Sequence, residues 1–395
     1  MSVIDVSGLC GGLRELPPLS LYIHFPWCVR KCPYCDFNSH EPKNGFDEMA
    51  YVEALLRDLE YSLPAVWGRP VHTIFMGGGT PSLFSPQAID ALLAGVRARV
   101  RLQPEAEITM EANPGTLEAD NFAGYRAAGV NRLSIGVQSF NPRHLQALGR
   151  IHDEHEAHRA VELALRHFDN VNLDLMYALP QQTLAEALAD IDTALALGVT
   201  HLSAYHLTIE PNTLFAVQTP ANLPDDELSA DMQEAIEARL AEAGFQHYET
   251  SAFARPGRRC QHNLNYWQFG DYLGIGAGAH GKISQHDGIR REMRHKQPAA
   301  YLVAVAAGQP LQTQHKVARD ERAFEFMMNL LRLTDGFERR LFTERTGLPV
   351  SSIQSALDQA EAQGLLTADA SMIRPTLRGQ RFLNDLLTLF LKEGD

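Results

Sequence analysis

The sequence predicts an α/β protein: a partial (βα)6 barrel followed by a C-terminal winged-helix-like α+β domain. Three observations predict it. Between residues 19 and 207, short apolar, β-branched runs alternate with longer stretches of helical periodicity, as in βα units around a parallel sheet. Each run ends on, or is followed at once by, chemically useful residues, and in βα barrels function gathers at the C-terminal strand ends. From about residue 321 the pattern changes to three amphipathic helical segments, a hairpin-like span over 365–375 and a last helix over 377–392.

Six strands are expected, at 19–25, 71–76, 106–111, 132–137, 170–176 and 201–207. Helices are expected between them at 46–63, 86–100, 117–128, 154–167 and 184–197. A second α/β-like stretch follows, with a helix over 226–243 and Gly-rich sequence over 269–281. This divides the chain into an N-terminal arm (1–18), a core barrel (19–217), a barrel extension (218–318) and a C-terminal domain (319–395). No internal repeat or low-complexity tract stands out.

Composition narrows the functional classes. With 45% hydrophobic and 21% charged residues, the 395-residue chain reads as ordinary globular protein. A formal charge of −13 opposes broad attraction to nucleic acid or anionic lipid, so no nucleic-acid partner is expected. Winged helices often bind DNA, but residues 321–395 hold nine basic against eleven acidic residues. No apolar run approaches the ~18–20 residues that span a bilayer, and the start lacks a signal-peptide pattern, so a cytoplasmic protein without an integral membrane segment is expected. Five cysteines make an odd count, and Cys28, Cys32 and Cys35 fall within eight residues, which suits a cluster better than a disulfide framework.

The spacing of those three is C-x3-C-x2-C. Three thiolates can hold three irons of a [4Fe-4S] cluster and leave the fourth open to an exogenous ligand. A zinc site would lack a ligand, since structural zinc takes about four. After the second expected strand come Gly77, Gly78, Gly79 and Thr80, where glycines permit close approach and bare amides can bind a carboxylate. Glu111 can accept hydrogen bonds from an amine or ribose, and Gln138 can bond in both directions. Arg150 adds a guanidinium and Asp174 a further strand-end carboxylate. Each alone also reads as a turn or capping residue.

The cysteine motif resembles that of the radical S-adenosylmethionine (SAM) superfamily. With the other motifs in this order, the chain resembles the oxygen-independent coproporphyrinogen III oxidase-like family across nearly the whole barrel. The resemblance implies that SAM chelates the open iron. It also implies that Tyr22, Gly78, Gly79, Thr80, Glu111, Gln138, Arg150 and Asp174 line the SAM site, with Tyr34 close by. His24 reads equally as a pocket residue or a packed core histidine.

Two departures weigh against the oxidase itself, whose motif typically continues to a fourth cysteine and follows a longer N-terminal arm. Here Asp36 and Phe37 follow Cys35, and the arm before the motif is short. His262-Asn263-Leu264-Asn265-Tyr266-Trp267 instead resembles the HNxxYW signature of the heme chaperone branch. An imidazole is a standard axial heme ligand, and aromatics can cover a porphyrin face. Read without the resemblance, His262 is a loop histidine and Tyr266 and Trp267 a packed aromatic corner; Cys260 reads as an inert lone cysteine.

The resemblance thus implies a heme carrier rather than an enzyme. It would bind heme through His262, Tyr266 and Trp267, hold the cluster on Cys28, Cys32 and Cys35 with exchangeable SAM, and pass heme to an acceptor protein that the sequence does not identify. The alternative is a radical SAM coproporphyrinogen III dehydrogenase. A homodimer is left open.

Overall fold

The computed structural model describes residues 13, 15–42, 45–115 and 119–391. Residues 1–12 and 14 of the expected arm, 117–118 of an expected helix and 392 of the last one lie outside it.

Six parallel strands pair in sequence order: β1 (Leu19–Phe25), β2 (Pro70–Gly78), β3 (Arg101–Ala112), β4 (Arg132–Gln138), β5 (Val171–Tyr177) and β6 (His201–His206). Being covered on both faces, such strands carry near-continuous apolar runs, and β1 and β5 are buried at six of seven positions. The helices are fixed by local chemistry. Helices Glu154–His167 and Leu184–Leu197 start on capping boxes, Asp153 with Glu156 and Thr183 with Glu186, and the second ends on left-handed Gly198. Both match their expected bounds. Helix Pro86–Arg99 starts on the Ser85 cap with proline in its first turn.

The sheet extends past the six strands on both sides. β7 (Gln246–Glu249) and β8 (Ala252–Ala254) form a hairpin, with β8 antiparallel to β6. On the other side β9 (Asp271–Ile275) pairs parallel to β1, and β10 (His280–Gln285), β11 (Gly288–Arg294) and β12 (Leu311–Lys316) continue antiparallel. The Gly-rich segment therefore holds β9, a turn over 276–279 and the start of β10. Gly274 is needed there because a Cβ would sit 1.8 Å from the His280 carbonyl oxygen.

The C-terminal module packs helices Arg322–Leu330, Arg339–Thr346 and Gln354–Ala362 against an antiparallel sheet of β13 (Phe337–Glu338), β14 (Leu366–Ala368) and β15 (Met372–Pro375). Its core of Phe326, Leu330, Phe342, Leu357 and Ile373 also takes in Phe269 and Ile289 from the larger sheet. The expected last helix is two short ones, Leu377–Arg381 and Leu383–Thr388. The break at Phe382 accompanies a bidentate pair from Arg381 to Glu237, which ties the module to helix Asp226–Glu242. Among the described residues, no helix is long and apolar enough to cross a membrane.

Candidate cluster and ligand site

The loop after β1 carries all three clustered cysteines. It is pinned at its base, where Cys28 N–H donates to the His40 carbonyl at 3.0 Å and His40 N–H to that of Pro26 at 2.7 Å. Trp27 stacks on Phe46 with ring centroids 4.4 Å apart. The loop after β2 locks onto it through Gly79 N–H to the Phe25 carbonyl (2.6 Å) and Thr80 N–H to that of Trp27 (2.7 Å).

Those two bonds correct one expectation. The amides of Gly79 and Thr80 are not bare, and the Gly78 amide donates to Glu111 Oε2 at 3.0 Å. The chain uses all three because buried backbone donors must be paired. Close approach is nonetheless why glycine stands here: Gly78 has φ +110, and a Cβ would lie 2.3 Å from the His24 ring. His24 is a packed histidine, bonded to Tyr22 Oη (3.0 Å) and the Asn38 carbonyl (2.9 Å), and burial lowers its pKa to about 4.

The three cysteines are each part-buried. The Thr80 hydroxyl donates to Cys28 Sγ and Arg150 Nη1 to Cys32 Sγ, both at 3.5 Å. Burial pushes the Cys28 and Cys35 thiols up, so metal binding there must displace protons. Among the described residues, no three His, Cys, Asp or Glu side chains are set to hold one metal ion. In a cubane each thiolate would bind a different iron.

Arg150 ties the cysteine loop to β4, with Nη2 on the Gly136 carbonyl (2.6 Å) and Asn113 Oδ1 (2.9 Å) and its Nε buried without a partner. Gln138 beside it has φ +69. Tyr34 packs on Phe215, and burial raises its phenol. A cleft of about 570 Å³ opens here, lined by Val29, Cys32, Asn113, Gly149, Arg150 and His152 among others.

Inside the barrel, Tyr22, Glu111, Asp174 and Tyr266 are surrounded by protein yet keep part of their surface open, so they face a hollow. Burial, then the neighbouring Asp174 charge, raises the Glu111 pKa to about 8. Burial also raises Asp174, against hydrogen bonds from Asn172 (2.9 Å) and Ser134 (3.1 Å). Two enclosed carboxyls facing a hollow favour a cationic ligand.

The HNxxYW residues lie elsewhere. Helix Gln261–Trp267 closes the opposite end of the barrel, against the starts of β1, β2 and β3. His262 is fully buried. Its Nδ1 is 2.8 Å from Thr73 Oγ1, its Nε2 2.9 Å from Tyr266 Oη, and its N–H donates to Glu107 Oε1 at 3.1 Å. Thr73 gives its hydroxyl proton to Ser20 Oγ (2.7 Å), so Nδ1 donates to Thr73 and Nε2 accepts from Tyr266. Burial lowers the His262 pKa to about 3 and keeps the ring neutral. Trp267 lies under the Arg332 guanidinium, 4.3 Å from the ring centre, with its indole N–H buried and unpartnered. Cys260 Sγ donates to Glu107 at 3.6 Å, and burial pushes its thiol to about 12.

The structure thus brings the cysteines, Gly78, Thr80, Glu111, Arg150 and Asp174 to one end and the hollow below it. His262 and Trp267 sit at the other end, with Tyr266 reaching from there to the hollow; the five steps from Thr73 to Gly78 span roughly 16 Å of strand. Sequence reasoning missed Ser20, Thr73 and Glu107. The alternation of inward positions along β1 to β3 was the available signal.

Residues 22–194 match the Radical SAM superfamily, and residues 317–382 match the HemN C-terminal domain. Heme chaperone HemW of Escherichia coli (strain K12) is 53% identical over 384 residues, covering 96% of this chain and 100% of that protein. The chain belongs to the heme chaperone HemW family. The HemW of Haemophilus influenzae is 48% identical over 387 residues, again with 96% and 100% coverage. The chain's fold is similar to that of a solved radical SAM enzyme, coproporphyrinogen III oxidase (HemN) from Escherichia coli. That structure superposes with a TM-score of 0.81 at 24% identity over 98% of this chain and 93% of that one. The expected partial barrel with an additional C-terminal domain is borne out.

Proposed function

We propose that this protein is a heme chaperone: it binds heme, passes it to an acceptor protein, and carries a [4Fe-4S] cluster on Cys28, Cys32 and Cys35 with exchangeable SAM. The observation that carries this reading is the 53% identity, over nearly the whole chain, to a protein that is itself a heme chaperone. The motif ends at Cys35, followed by Asp36 and Phe37, so the oxidase alternative gains no support there. The carrier role requires no catalysis by this chain. We place its work in the cytoplasm, where three cluster thiols stay reduced.

When bound, the cluster and SAM supply an exchangeable iron coordination site and one-electron chemistry. The chain's own residues prepare for them. Thr80 and Arg150 hydrogen-bond Cys28 and Cys32 Sγ, which stabilises thiolates. Glu111, protonated below about pH 8 while alone, gives up that proton to hold the ligand's ammonium, and Asp174 adds negative charge beside it. Tyr22 and Tyr266 face the same hollow.

At the other end, His262 holds the right tautomer for an axial ligand but gives its Nε2 lone pair to Tyr266. Heme ligation therefore requires helix Gln261–Trp267 to shift and the Tyr266 hydroxyl to leave. The test is an anaerobic hemin titration of the cluster-reconstituted protein beside His262→Ala, followed by Soret absorbance. Saturable binding altered in the variant is expected. A wild-type protein that binds no heme overturns the reading.

A further inference from the structure

A second cleft, of about 780 Å³, lies between the N-terminal rim of the barrel and the C-terminal module. One wall is Leu16, Pro17, Pro18 and Pro70, a largely apolar surface on the approaches to β1 and β2. The facing wall is the end of helix Arg339–Thr346, which contributes Glu344 and Arg345. Between them stand Arg69 and His72.

Three features of these side chains lack a partner inside the protein. Strand alternation turns Thr73 inward to His262 and its neighbour His72 outward, where the ring is exposed and has no hydrogen bond among the described residues. Arg345 Nε is buried without a partner, and so is Arg69 Nη1. Arg69 is held in place by Nη2, which donates to the Pro17 carbonyl (2.5 Å) and pairs with Asp271 Oδ2 (2.9 Å). Asp271 is shared with Lys282 at 3.0 Å, so it neutralises Arg69 only in part. Asp271 acts on Arg345 through space most strongly, then Glu344 and Glu15, which also line the cleft, with Arg69 opposing, but no carboxylate forms an ion pair with it among the described residues. Buried guanidinium donors left unpaired are uncommon, and a carboxylate ligand would satisfy them.

We propose that heme docks first in this outer cleft, with the His72 imidazole as axial ligand, Arg69 and Arg345 pairing with its propionates, and the macrocycle on the proline-lined wall. The proposal rests on the heme-carrier reading and names where the cargo is received. The two arginines match the two carboxylates of heme, and the apolar wall matches its ring; an inorganic anion would use the arginines alone. The His72 ring is exposed and needs no prior opening, unlike sealed His262, whereas the buried Arg69 and Arg345 donors reach a propionate by turning toward the cleft. It adjoins the motif helix, because Asp271, four residues past Trp267, donates its N–H to the Pro18 carbonyl at 2.9 Å.

The test is rapid-mixing hemin uptake by the full-length, cluster-reconstituted protein, read by Soret absorbance and by the high-spin ferric signal of heme with one imidazole ligand in electron paramagnetic resonance. His72→Ala should lose the fast His-ligated phase. Arg345→Gln should weaken hemin about tenfold, the scale of one lost charge-assisted hydrogen bond. His262→Ala should keep the fast phase. Exposed His72 and unpaired Arg345 carry little of the fold, so thermal unfolding of both variants should match wild type. Fast uptake unchanged in His72→Ala and Arg345→Gln but lost in His262→Ala overturns the outer site and leaves the carrier intact. No heme uptake by wild type overturns the carrier reading itself.

Discussion

The two ends of the barrel are built in opposite ways. At the cysteine end, groups are left wanting: thiols raised by burial, Arg150 Nε without a partner, and Glu111 pushed up to about 8 beside a second carboxyl. At the HNxxYW end the His262 ring is sated, with both its nitrogens, its amide and the Asn265 amide group all bonded, and the Trp267 indole N–H is the exception. Unsatisfied buried groups stay destabilised until a ligand arrives, whereas a satisfied network rigidifies what it holds. One end is shaped to be filled, and the other must be opened.

Substitutions at the two ends should therefore fail differently. Cys32→Ala should have the largest effect, abolishing retention of the reconstituted cluster while thermal stability of the cluster-free protein stays close to wild type; iron analysis and unfolding check this. His262→Ala should do the reverse. It leaves the Tyr266 hydroxyl without its His262 partner, Thr73 with Ser20 alone, and a cavity behind, so stability should fall by ~2–4 kcal/mol in urea unfolding, with cluster iron retained. A third outcome concerns acid. With the folded His262 pKa near 3 and an ordinary value of 6.5, the unfolded ring takes up a proton first as pH falls. The stability that His262 contributes is complete above about pH 6.5 and drains between 6.5 and 3, by about 2 kcal/mol at pH 5. Urea unfolding at pH 7 and 5, beside His262→Gln, isolates it.

Glu111 makes ligand binding depend on pH in the same direction, over a higher range. A cation binds its carboxylate form, so SAM affinity should rise as pH climbs from 6 to about 8, and Glu111→Gln should flatten the profile in calorimetric titration. Arg332→Ala removes both the cation over Trp267 and the 3.4 Å partner of buried Glu249, and should lower stability by ~1–3 kcal/mol.

Much of this was legible where information is local. Capping boxes fixed helices 154–167 and 184–197, and cysteine spacing marked the loop that the structure folds next to Thr80 and Arg150. β3 begins at Arg101, earlier than the apolar run, because Arg101–Glu105 is polar and solvent-facing and so carries no hydrophobic signal. The glycine amides were misjudged because their acceptors, the Phe25 and Trp27 carbonyls, belong to another loop. The sealing of His262 was invisible for the same reason. Thr73 and Glu107 are 189 and 155 residues away along the chain and meet it only once the barrel closes.

Amide hydrogen exchange over residues 261–267, with intrinsic rates held constant and hemin absent or present, tests most directly whether the motif is shut until heme opens it. Slow exchange without heme, and faster exchange while heme is being taken up, is the predicted result. Equally fast exchange in both states would contradict a sealed His262.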